Sequence, residues 1–142
     1  MAIANQFKQN TVGLELDIAS VGPFEWIGGA MTALTGLVHL YLYWSTGFVL
    51  FLLAGAWFFG AVGLLFTTFS QRLLYALGIP YIGIQIVLWV TSGMQNFGLG
   101  VFDKTIQTLL IGLLVGLLLV ELEIDFIEEF SALWDESKRR NE

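Results

Sequence analysis

The chain has no cysteine, one histidine, two prolines and, from Trp26 to Phe102, a single formally charged residue, Arg72. Without cysteine there are no disulfides, no thiolate metal sites and no cysteine nucleophile. A lone histidine rules out a haem held by two histidines of one chain, and the chain is too poor in ligands for a structural zinc site. No lysine sits in the middle of an apolar run, where a retinal Schiff base would need one. There is no Gly-Lys phosphate loop and no nucleophile elbow. These absences exclude most reaction classes and leave no residue set that identifies an enzyme.

The long uncharged stretch has a physical explanation. A charge at bilayer depth costs about 3 kcal/mol or more, and lipid-facing segments avoid that cost. What the chain has instead is apolar: 56% of residues are hydrophobic and only 13% are charged. About 20 predominantly apolar residues span a bilayer core of about 30 Å as a helix. Four such runs occur, at about 24–44, 47–67, 72–91 and 104–123. The expected fold is therefore all-α, an integral membrane four-helix bundle over residues 23–120.

Residues 1–22 read as a cytoplasmic N-terminal arm, where Leu14, Leu16 and Ile18 alternate with Glu15 and Asp17 as in a short extended piece, and Ile3 and Phe7 suit an interfacial helix. No short apolar core precedes a cleavage site there, so the first span is expected to act as an uncleaved signal anchor. Pro23 suits the first position of a helix and Glu25 its first turn, where the dipole favours an acid. Tyr41, Tyr43 and Trp44 resemble an interfacial aromatic belt. Pro80 predicts a kink in the third span. Residues 92–103, rich in glycine, read as the longest loop. Beyond the fourth span, 121–142 is an acidic tail in which Leu122, Phe126, Phe130 and Leu133 repeat at helical spacing with Trp134 beside them. That stripe predicts an amphipathic helical extension that docks a cytoplasmic partner or lies along the membrane surface, and its acidity disfavours the second.

Basic residues set the orientation. Lys8, Arg72, Lys138, Arg139 and Arg140 fall on one side and Lys104 alone on the other, which predicts both termini in the cytoplasm. The net charge of −6 argues against nucleic acid as a partner. Membrane lipid, a membrane-protein partner or a second copy of the chain remain. Arg72 and Glu121 fall on the same side, and Glu121 reads as a solvated interfacial acid in preference to an ion-pair partner.

Gly29, Ala33 and Gly36 form a small-residue stripe that continues through His39 and Tyr43, and this face is expected to turn into the bundle. His39 then lies about 7–8 Å from the span midpoint and Gln85 about 5 Å, on the same side. A His39–Gln85 hydrogen bond fits those depths, with Tyr43 nearby, and His39 reads either as helix glue or as a functional intramembrane group. Gly112 and Gly116 share a face with Thr105 and Thr108, and Gly60 lies among Ala56 and Gly63; both groups read as packing within the bundle, with dimerisation as the alternative. With these faces packed inward, Gln107 points away, about 140° from Gly112, and becomes a candidate contact with another chain.

Three segments carry a resemblance: WIGGAMTALTGLVHLYL at 26–42, FLLAGAWFFGAV at 51–62 and RLLYALGIPYIGIQIVLW at 72–89. The chain resembles small four-span membrane proteins widespread in haloarchaea, a group without an assigned activity, and the matching positions include His39, Pro80 and Gln85. The resemblance implies the fold and a membrane setting and supplies no reaction. The leading reading is a non-enzymatic accessory or assembly subunit. The alternatives are a small oligomeric transporter or channel using His39 and Gln85, and a lipid-, quinone- or carotenoid-binding membrane protein. No cofactor is predicted, with lipid or pigment as the ligands the aromatics would suit.

Overall fold

The computed structural model describes residues 14–141. Four helices organise it: α1 Pro23–Thr46, α2 Val49–Leu65, α3 Gln71–Thr91 and α4 Phe97–Arg140. Among the described residues there is no strand beyond one isolated bridge, so the fold is all-α.

Local chemistry sets the ends of the helices. Pro23 opens α1, and Glu25 sits in its first turn. Gly47 closes α1 in the left-handed region (φ 69°), its N–H donating to the Tyr43 carbonyl at 2.7 Å. Such a short link makes α2 return antiparallel beside α1. Ser70 caps α3 by accepting from the Leu73 N–H at 3.3 Å. α3 continues through Pro80.

The described part of the N-terminal arm is extended, with Leu16 paired to Thr67. Asp17 N–H donates to the Phe66 carbonyl at 2.8 Å and Thr68 N–H to the Glu15 carbonyl at 2.9 Å. The arm is thereby tied to the α2–α3 link. Ile3, Phe7 and Lys8 lie outside the described residues.

The expected loop over 92–103 is shorter than its glycines suggested, since α4 begins at Phe97. Gly93 (φ 88°) and Asn96 (φ 50°) make the turn. Gly100 belongs to the helix, because a side chain there would run into the Trp89 indole. Its glycine reflects close packing, and the shift carries Asp103 from a loop into a helix.

Around the bundle the order is α2–α1–α4–α3, with α2 and α3 scarcely touching. Phe58, Ile82 and Leu110 form the apolar centre. Gly36 and Gly55 bring α1 and α2 together; a Cβ on Gly55 would lie 3.2 Å from the Gly36 carbonyl oxygen. The burial pattern is unusual for a protein in water: Thr35, His39, Asp103 and Gln107 are buried, while Leu37, Trp57, Ile84, Val87, Leu109 and Leu119 are more than half exposed. Among the described residues one helix, α3, is long and apolar enough to cross a membrane, and α2 is apolar but 17 residues long.

Two expectations about packing are corrected. Gly112, Gly116, Thr105 and Thr108 face outward, and nothing lies within 4 Å of a Cβ built on Gly60, Gly112 or Gly116. The polar cluster takes the inner face of α4, so the small-residue face is turned away from it. Glu121 is paired: Arg72 Nε lies 4.0 Å from its carboxylate, and Arg72 also pairs with Asp125. The uninterrupted α4 carries both acids past the start of α3.

Candidate functional site

Three helices place polar side chains at one level. Asp103 lies about 9 Å along α4 from its start, Gln85 about 9 Å back from the end of α3, and Thr35 about 16 Å back from the end of α1. Thr35 and Gln107 are fully buried, and Asp103 is 2% exposed.

The carboxylate of Asp103 is the hub. It accepts from the Thr35 hydroxyl, from Lys104 Nζ at 2.8 Å and from Gln107 Nε2 at 3.0 Å. Gln107 Nε2 also reaches Thr35 Oγ1 and Gln85 Oε1, each at 3.1 Å, so its two hydrogens serve three acceptors. Gln107 Oε1 in turn accepts from Lys104 Nζ at 3.1 Å. The result is a closed network joining α1, α3 and α4. Closure matters, because an unpaired polar group here would cost far more than a paired one.

The expected His39–Gln85 pair does not form. His39 Nδ1 donates to the Thr35 carbonyl of its own helix at 2.8 Å, which places the proton on Nδ1. Its ring packs against α2, with centroids 5.3 Å from Phe58 and 6.1 Å from Phe51. Gln85 instead joins Gln107. Tyr43, one turn beyond His39, is half-buried, and its phenol makes no hydrogen bond to either residue. Gly29 and Gly36 are buried beneath Leu65 and Phe58–Phe59, and Ala33 is half-buried beside them.

Gln107 is the residue that periodicity misplaced. Three of its neighbours, Thr105, Thr108 and Gly112, drew the inward face toward themselves. The available signal was Asp103, Lys104 and Gln107 taken as one set at i, i+1 and i+4, which can close a ring only if α4 starts before Asp103.

At the opposite end the gap between α2 and α3 leaves a cleft of about 670 Å³. Apolar side chains such as Leu53, Trp57 and Leu77 form its walls, with Glu25 and Tyr75 at one end. Beyond the bundle, α4 continues as a helix to Arg140 with Leu122, Phe126, Phe130, Leu133 and Trp134 exposed.

These features define an all-α four-helix protein with a polar cluster buried beside its apolar centre and many large apolar side chains exposed. No protein-family model, characterised protein or solved structure matches the chain.

Proposed function

We propose that the chain is a multi-pass membrane protein with both termini in the cytoplasm, acting as an accessory or assembly subunit through a partner that grips the projecting end of α4. The membrane placement draws support from the inverted burial pattern, with Asp103 and Gln107 inside and Leu37, Val87 and Leu109 outside. Orientation draws on Arg72, Lys138, Arg139 and Arg140 against Lys104. The group of haloarchaeal four-span proteins that the sequence resembles fits the same reading.

One observation carries the partner role. The helix runs well past the bundle with Phe126 at 69% and Leu133 at 61% exposure, on a strongly acidic segment. Acidity disfavours laying that stripe on an anionic membrane surface. A protein partner covers it instead. The test is gentle purification from native membranes, comparing the intact chain with Phe126→Asp/Phe130→Asp and with a chain lacking 131–142. A stoichiometric partner that both changes remove supports the reading; equal capture by all three forms overturns it.

A second reading, an oligomeric transporter or channel, draws on the Asp103–Lys104 pair within the bundle. It expects ion or solute flux in proteoliposomes that Asp103→Asn alters, and His39→Ala does so through the neighbouring Thr35. Absence of flux across a broad panel counts against it. The closed hydrogen bonding of the cluster favours a structural staple.

A further inference from the structure

The α2–α3 cleft has one feature that packing alone leaves unexplained. Tyr75 lines it and is 3% exposed, yet its hydroxyl is buried without a hydrogen-bond partner. An unpaired buried hydroxyl is costly, and phenylalanine would avoid that cost. Glu25, in the first turn of α1, lines the same end of the cleft. The described cation at this end, Arg72, is engaged by Glu121 and Asp125.

The cleft is therefore apolar along its length and polar at one end, and that end carries a free donor and a carboxylate. Tyr75 lies about 6 Å along α3, so the polar end sits near the cytoplasmic side in the proposed placement. Leu53 lies about 18 Å along α2 from the same end, which gives room for a long chain. A volume of about 670 Å³ falls within the range of small-ligand sites. A phosphate or carboxylate head would meet Glu25 with no free cation among the described residues. A quinone carbonyl would satisfy Tyr75 and leave Glu25 without a donor. A hydroxyl both accepts from Tyr75 and donates to Glu25.

We propose that the cleft between α2 and α3 binds a neutral long-chain amphiphile with a hydroxyl head, the head between Tyr75 and Glu25 and the chain along Leu53, Trp57 and Leu77. The inference rests on the membrane placement of the helices. Two sources supply this chemistry, a free long-chain alcohol and a diacylglycerol-type lipid.

The full chain in phosphatidylcholine nanodiscs tests it. Three photoreactive probes with the same chain are compared: a primary alcohol, a diacylglycerol and a fatty acid. Saturable labelling of Leu53 and Trp57 by the alcohol or the diacylglycerol, but not by the fatty acid, is the expected result, and the probe that labels identifies the source. Tyr75→Phe weakens that labelling about five-fold in apparent affinity. Ala61→Phe, which fills the cleft, removes it. Equal labelling by the fatty acid, or no effect of Tyr75→Phe, overturns the proposal and leaves bulk lipid as the occupant. Ile84 and Val87, on the outer face of α3, report the membrane placement separately. Their labelling without labelling of the cleft overturns the site alone, and no labelling anywhere overturns both.

Discussion

Replacing Asp103 by leucine removes the hub of the interior network. Three donors lose their acceptor: the Thr35 hydroxyl, Lys104 Nζ and Gln107 Nε2. Gln107 keeps Gln85, and Thr35 can turn its hydroxyl to a carbonyl of its own helix. Lys104 keeps only Gln107 Oε1. Only the Thr35 bond crosses between helices, and interhelical hydrogen bonds average about 0.6 kcal/mol in membranes, so its loss alone predicts under about 1 kcal/mol. The larger effect is the stranded ammonium, since breaking a buried ion pair costs about 3–5 kcal/mol. The Lys104 side chain is 12% exposed and can partly reach outward, which places the expected cost near the lower bound, about 3 kcal/mol. Lys104→Met strands the carboxylate but leaves it two donors, for about 2 kcal/mol. The double variant strands nothing and also costs about 2 kcal/mol, so the two sites couple by about 3 kcal/mol. Reversible unfolding in mixed micelles measures all four corners of the cycle. A coupling within about 0.5 kcal/mol of zero refutes the claim that the pair is desolvated and mutually dependent.

The glycines make a contrasting pair of predictions. Gly55→Val should destabilise by about 1–3 kcal/mol, because its Cβ would meet Leu40 at 2.9 Å and the Gly36 carbonyl oxygen at 3.2 Å. Gly112→Ala and Gly116→Ala should be neutral or stabilise by up to about 1 kcal/mol in the same unfolding assay, since nothing lies within 4 Å of either Cβ; a loss on the scale of Gly55→Val, accompanied by dissociation on a sizing column, would instead place an interface there. Arg72→Ala should cost less than about 1 kcal/mol, because Arg72, Glu121 and Asp125 are 43%, 33% and 52% exposed. That cost should shrink further at 1 M salt, and an undiminished effect would show the pair to be shielded from solvent.

Much of the architecture is legible without coordinates. Pro23 with Glu25 marks the start of α1, Ser45–Thr46–Gly47 its end, and the period of Leu122, Phe126, Phe130 and Leu133 the helical character of the tail. These signals are local: a ring that fixes φ, a glycine that tolerates the left-handed region, an apolar spacing of 3.6 residues. The inward face of Gly29 and Gly36 is legible for the same reason, since both lie on one short stripe.

The site residues escaped because their meaning depends on which way a helix is turned. Gly100 looks like a loop breaker until Trp89 is seen against it, and that one reading decides whether Asp103 is in a loop or in the bundle. Small residues on α4 suggested one inner face, but satisfying an aspartate, a lysine and a glutamine together outweighs the close approach that glycines permit. His39 and Gln85 share a depth but not a direction, and depth is all that residue counting provides.

The sequence by itself determined four helices, their order and the segregation of charge to the ends, because each follows from interactions within a turn or two of chain. Only the tertiary structure decided that Thr35, Gln85, Asp103, Lys104 and Gln107 meet, that His39 turns to Phe51 and Phe58, and that α2 and α3 stand apart around Tyr75. Those outcomes are set by helix rotation and by the mutual satisfaction of polar groups far apart in the chain, a constraint that exists once all four helices are in place.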